Sequence, residues 1–176
     1  MVMTKSVRFV WRVILVAGVI LAAVTSGQSQ LPSDLKAQLW PAKWITSDDA
    51  PARDEAVLYF RKHVELASAP QRYVVNVSAD NRFVLYVNGQ RAGSGPARSD
   101  LAHWHYETFD VAPLLKSGDN VFAAVVWNFG ARSALAQISD RTAFLLGGAT
   151  EAENAVNTGT DWDVAVEKSI RTLPKP

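Results

Sequence analysis

His103, His105 and Glu107 alternate along Ala102-His103-Trp104-His105-Tyr106-Glu107-Thr108-Phe109, which contains two of the chain's three histidines. In an extended segment, side chains at i, i+2 and i+4 share a face. Two imidazoles and a carboxylate would then stand side by side, with Trp104, Tyr106 and Thr108 on the opposite face. Imidazole nitrogens and carboxylate oxygens are what many divalent metals take as ligands, so this is how a metal-binding strand would be written.

Jelly-roll metal enzymes of the cupin kind use such a grouping, but their glutamate lies further beyond the second histidine and a later strand supplies another histidine. Here Glu107 is two residues on and no histidine follows His105. Only His63 could complete a three-histidine set. The metal reading is therefore a small cupin-like metalloenzyme built on His63, His103, His105 and Glu107. It competes with the plainer reading of solvated or hydrogen-bonded strand residues, which ligand count and spacing favour, so no metal or other cofactor is expected.

Other catalytic constellations are weaker. Ser99, Asp100 and His103 are close in sequence, but no strand-turn-helix elbow surrounds any serine. Gly93-Ser94-Gly95-Pro96 lacks the lysine and following helix of a phosphate loop and reads as a flexible connector. The acid pairs Asp48-Asp49, Asp54-Glu55 and Asp161 with Asp163 read as solvated turns. Carbohydrate recognition fits better, because sugars stack their C–H faces on aromatic rings while planar polar side chains take the hydroxyls. Arg98, Asp100, His103, Trp104, His105 and Tyr106 offer that mixture within nine residues. Trp104 and Tyr106 would be either buried core aromatics or the sugar platform, and periodicity does not separate the two.

The elements that must position these residues begin after a leader. Lys5, Arg8 and Arg12 precede an apolar run from Val13 to Val24, followed by Thr25-Ser26-Gly27-Gln28. This reads as a secretory signal over residues 1–27, too short to span a bilayer, so export to the periplasm or outside the cell is expected with no stable membrane anchor after cleavage. The formal charge is +1 for the whole chain and −2 without that leader, which makes nucleic acid a poor partner. There is no cysteine, while 176 residues, 48% of them hydrophobic, suffice for a core stabilised by burial alone.

Residues 28–55 are rich in prolines and turn formers and read as a wrapping segment with two anchoring tryptophans, Trp40 and Trp44. A sandwich domain is expected over residues 56–170, then a short tail, 171–176. From Val57 to Leu66 apolar residues alternate with polar ones, Lys62 being the exception on the apolar face. Strands follow over residues 73–79 and 82–87, and Asn88-Gly89 between extended flanks predicts a type I′ hairpin. The His103 segment is the next strand, Asp110 to Gly118 a capped helical turn, and Val121–Trp127 a central strand covered on both faces. Ala143–Leu146 and Trp162–Val166 are the last strands, while Arg132–Ile138 is either a short helix or a bent edge. Seven or eight short strands with frequent turns predict an all-β, antiparallel sandwich of jelly-roll type.

With these residues laid out, the chain resembles the N-terminal, galactose-binding-like β-sandwich domain of bacterial α-L-rhamnosidases, glycoside hydrolase family 78. The resemblance runs through Trp40-Pro41-Ala42-Lys43-Trp44-Ile45, Tyr59-Phe60-Arg61-Lys62, and Val77-Ser78-Ala79-Asp80-Asn81-Arg82 continuing to Val87-Asn88-Gly89. It extends through Gly95-Pro96-Ala97-Arg98, His103-Trp104-His105-Tyr106-Glu107 and Leu114-Leu115-Lys116-Ser117-Gly118-Asp119-Asn120 to Asn157-Thr158 before Trp162. It implies a secreted, noncatalytic accessory module, since the family's hydrolytic carboxylates sit in a separate (α/α)₆ barrel and no catalytic residue carries over. The implied partners are a rhamnose-containing glycan or glycoside, or a catalytic glycosidase domain. The chain stops where such a barrel would begin, so the expectation is a truncated or split glycosidase, or a stand-alone sugar-binding protein.

Overall fold

The computed structural model describes residues 40–170. The expected leader, the first part of the wrapping segment and the C-terminal tail lie outside the described residues. Among the described residues eight strands form the architecture: β1 Ala56–Leu66, β2 Val74–Asp80, β3 Arg82–Val87, β4 Gln90–Gly95, β5 Glu107–Asp110, β6 Gly118–Asn128, β7 Ala143–Gly148 and β8 Asp163–Val166. They pair antiparallel in two sheets, one of five strands ordered β4-β3-β6-β1-β8 and one of three ordered β5-β2-β7. This is the expected all-β antiparallel sandwich.

The core lies between the sheets. Leu58, Phe60 and Val64 of β1, Phe83, Leu85 and Val87 of β3, and Phe122, Ala124 and Val126 of β6 face Val75, Val77 and Ala79 of β2 and Phe144 and Leu146 of β7. Phe144 is the hub, with ring centroids 5.1 Å from Phe60, 5.6 Å from Trp162 and 6.3 Å from Phe83. Lys62 obeys the strand's pleat and not its own polarity. It is buried among apolar neighbours, and its Nζ reaches Asp161 Oδ2 at 2.7 Å and the Asn157 carbonyl at 3.3 Å.

The Asn88-Gly89 hairpin forms as expected, with φ of 51° and 78° at the two residues. Five local expectations are corrected. Gly93 and Gly95 belong to strand β4, not to a free loop, because the Phe109 ring and the Glu107 side chain occupy the space a Cβ would need. The His103 segment is not a strand before Glu107, the first residue of β5. Strand β6 is buried on one face only, its other face being half-exposed along Val121, Ala123, Val125 and Trp127. The turn after Asp110 is a 3₁₀ turn over Ala112–Leu114 that ends before Gly118. Asp110 does accept the Tyr73 and Ala112 amides at 3.0 and 3.1 Å, and its carboxyl is held below the usual range chiefly by those bonds. The Arg132–Ile138 stretch is neither alternative throughout, a 3₁₀ turn at Gly130–Arg132 leading into irregular chain. A third 3₁₀ segment, Glu151–Val156, lies between β7 and β8 and carries a capping box between Thr150 and Glu153.

The end of β2, the end of β4, the end of β6 and the starts of β1, β3, β5 and β7 all lie at one end of the sandwich. That end therefore carries the 96–106 and 129–142 loops and the wrapping segment that leads into β1.

Candidate functional site

Three buried polar side chains hold the 129–142 loop to the end of the sandwich. Asp80 Oδ2 accepts hydrogen bonds from the Asp140 amide (2.6 Å), the Arg141 amide (2.9 Å) and the Ser139 hydroxyl (3.1 Å), while Oδ1 accepts from Asn81 Nδ2 at 2.6 Å. Asn81 Oδ1 accepts the Phe129 amide at 3.1 Å. Asn128 donates to Ser139 Oγ and Thr142 Oγ1 and accepts the Gly130 amide. Burial is the largest influence on Asp80 and leaves its carboxyl above the ordinary value, although all four hydrogen bonds oppose it.

The wrapping segment closes the other side. Ile45 exchanges backbone hydrogen bonds of 2.9 Å each way with Phe144, and Lys43 donates to the Thr158 carbonyl. Trp40 meets Tyr106 edge-on at 5.1 Å and Trp44 meets Trp104 edge-on at 5.9 Å. Two aromatic pairs thus tie the wrapping segment to the chain just before β5.

Between the Trp44 and Trp104 rings and the Asp80-anchored loop lies a cleft of about 510 Å³, lined chiefly by Trp44, Ile45, Thr46, Asp80, Trp104 and Asp140, with Leu101, Arg141 and Ala143 completing it. Its volume is in the range of small-molecule sites, and its make-up is the usual one of apolar walls with a few polar groups. The Trp104 Nε1 proton is buried and has no acceptor among the described residues.

The six residues expected to form a sugar-binding patch are not gathered together. Trp104 is in the cleft. Tyr106 is half-exposed and packs on Trp40. Arg98 donates to the Leu135 carbonyl at 3.0 Å and lines a separate hollow. Asp100 and His103 bind each other at 3.1 Å, and Asp100 Oδ1 also accepts the Ala102 and His103 amides at 2.8 Å, an Asx turn that takes the segment out of extended geometry. The His103 ring hydrogen bond is the main cause that holds the Asp100 carboxyl below its ordinary value. His105 contributes its carbonyl, which accepts from Ser78 Oγ at 2.6 Å, while its residue stays exposed.

The cupin-like metal set is overturned by the same geometry. His63 lies on β1 opposite Val121, whose backbone meets the Asn88 turn at the far end of the sandwich, and its ring pairs with Asp119. Glu107 accepts the Ala97 amide at 3.1 Å. Among the described residues no group of three or more histidines, acids or cysteines could hold a metal ion. Of the cleft residues, Asp80, Asp140 and Arg141 escaped the sequence reading. The available signal was the Asp80-Asn81 pair itself, a polar dipeptide between two apolar strands with only one residue separating them.

This architecture matches known structures. The chain superposes on the family 78 rhamnosidase of Bacillus sp. GL1 with a TM-score of 0.66 and 26% identity over 73% of its length. The fold is that of a module of family 78 α-L-rhamnosidases. The α-L-rhamnosidase of Dictyoglumus thermophilum shares it at a TM-score of 0.57 and 19% identity over 72% of the chain. The chain spans 14% and 16% of the length of those two enzymes. No protein-family model matches the chain, and no curated protein matches its sequence significantly.

Proposed function

We propose that this chain is an exported, noncatalytic accessory module of α-L-rhamnosidase type, which binds a rhamnose-containing glycan or glycoside in the Trp44–Trp104 cleft. The observation that carries the reading is the cleft itself, two indole walls beside Asp80, Asp140 and Arg141 on a rhamnosidase-module fold. A deoxy sugar presents a methyl group and C–H face to an aromatic wall and hydroxyls to carboxylate, guanidinium and indole N–H groups.

The noncatalytic part rests on how the cleft's acids are used. Glycoside hydrolysis needs one carboxyl to give a proton and a second to act opposite it. Both oxygens of Asp80 already accept structural hydrogen bonds, and Asp140 is paired with Arg53 at 3.3 Å in an exposed position. Neither is placed as a proton donor to a substrate. Export rests on the leader, residues 1–27.

The test is titration of the purified chain with L-rhamnose and rhamnosyl oligosaccharides, followed by calorimetry and by the Trp104 indole N–H resonance. Binding that moves this resonance, and that weakens by about tenfold or more in Trp104→Ala, is expected. Absence of heat and of shift at millimolar sugar would leave only a scaffold for a catalytic domain.

A further inference from the structure

A second hollow, of about 290 Å³, lies on the other side of the 129–142 loop and is lined by Arg82, Arg98, Phe129, Arg132, Ala134 and Gln137. Three guanidiniums face it and no carboxylate lines it. Arg82 donates to the Pro96 carbonyl at 2.5 Å and Arg98 to the Leu135 carbonyl at 3.0 Å. These neutral acceptors fix the two side chains without cancelling their charge. Of the three, among the described residues, only Arg132 has a counter-ion close by, Glu55 Oε1 at 3.5 Å. A guanidinium carries five donors in a planar fork, so most of each fork is left for another acceptor.

Confined like charges in a concave wall focus the field and attract an anion, and a carboxylate matches the fork in two-point geometry. Phosphate would match it too, so the neutral part of the hollow decides the class. Phe129 is 41% exposed and is held edge-on by Trp127 at 6.4 Å, which leaves a fixed ring face toward solvent. Gln137, half-buried on the same wall, adds an amide that can both donate to and accept from hydroxyls. An aromatic platform, an amide and an arginine cluster in a space the size of one sugar ring together describe a sugar acid.

We propose that this hollow binds a uronic acid residue, its carboxylate on Arg82, Arg98 and Arg132 and its C–H face on Phe129. The inference rests on the carbohydrate-binding reading and gives the glycan a class, an acidic polysaccharide or oligosaccharide. The two sites share the 129–142 loop, Phe129 through Gln137 lining one and Asp140 and Arg141 the other. One acidic chain crossing that loop would occupy both.

Amide spectra of the purified chain, titrated separately with sodium D-galacturonate, D-galactose and inorganic phosphate at matched ionic strength, test this. Galacturonate is expected to move the Phe129, Arg132 and Gln137 signals, galactose to leave them unmoved, and phosphate to bind at least about fivefold more weakly. Arg98→Gln should weaken galacturonate by about tenfold, and Phe129→Ala should do the same if Arg98→Gln fails to fold. Raising the salt should weaken it further, because the screening length shortens as ionic strength rises. No response to galacturonate, an equal response to phosphate or galactose, or an unchanged affinity in the folded variants would overturn the proposal. Rhamnose is read separately at the Trp104 indole, so loss of one response with the other intact refutes only the reading tied to it.

Discussion

Replacing Asp80 by alanine should loosen the loop that walls both sites. Asp80 is 2% exposed, and its Oδ2 alone holds the Asp140 amide, the Arg141 amide and the Ser139 hydroxyl. A net hydrogen bond to a charged group is worth about 1.5–3 kcal/mol, so three would sum to about 6 kcal/mol. Two effects reduce that. Ser139, Asp140 and Arg141 are at least partly exposed, and their released donors can turn to water. Burial also raises the Asp80 carboxyl above its ordinary value, so deleting the charge recovers part of a desolvation cost. A loss of about 3 kcal/mol is expected, which for a domain of this size lowers the melting midpoint by about 10 °C. Asp80→Asn should lose roughly half as much, since one carbonyl oxygen still accepts two donors. Circular dichroism melts give the midpoint, and hydrogen exchange at the Asp140 and Arg141 amides gives the local part. A melt for Asp80→Ala within about 2 °C of the parent, with both amides still protected, would refute the anchoring role.

Lys62 and Asp161 should respond unequally. Asp161→Asn leaves a buried ammonium with only the Asn157 carbonyl and is expected to cost about 2 kcal/mol, whereas Lys62→Met leaves a solvated carboxylate and is expected to be near neutral; urea melts rank the two. Gly148→Ala would set a Cβ 2.5 Å from Glu153 Cβ and 2.7 Å from its backbone, so a loss of about 1–3 kcal/mol is expected in the same assay. Acid should destabilise the fold. Asp161 is lowered chiefly by Lys62, and Glu153 ends below its ordinary value because bonds from Thr150 and Val74 outweigh burial, the largest single influence. Groups lowered in the folded state contribute stability above their unfolded values, 3.8 and 4.5, and lose it as the pH falls through the folded ones. Melting midpoints measured downward from about pH 5 should therefore drop, and the drop should shrink in Asp161→Asn.

The strands that obey local rules were readable. Alternation found β1 and even singled out Lys62, whose place inside is set by the pleat, and Asn88-Gly89 could do little but turn. The failures share a cause, a partner remote in sequence. Gly93 and Gly95 read as a loop because nothing local tells that Phe109 and Glu107 fill the space above them. The histidine segment read as a strand because alternation was counted and Asp100 was not. Its carboxylate captures two amides and the His103 ring and redirects the chain before β5 can begin.

The same contrast explains why the six residues of the expected sugar patch do not share one surface. Six residues adjacent in sequence seemed to form one surface, yet the turn at Asp100 sends Arg98 to one side of the 129–142 loop and Trp104 to the other. Trp104 becomes a cleft wall only because Trp44, sixty residues earlier, meets it edge-on. Trp44→Ala should therefore act twice, removing one wall and freeing the other. If the cleft is assembled in this way, that variant loses rhamnose binding at least as completely as Trp104→Ala, while its Ile45–Phe144 backbone bridge keeps the fold intact. Calorimetry on the two folded variants checks it. A Trp44→Ala protein that binds like the parent would mean that Trp104 is positioned without Trp44 and that the Trp44 ring has no part in the site.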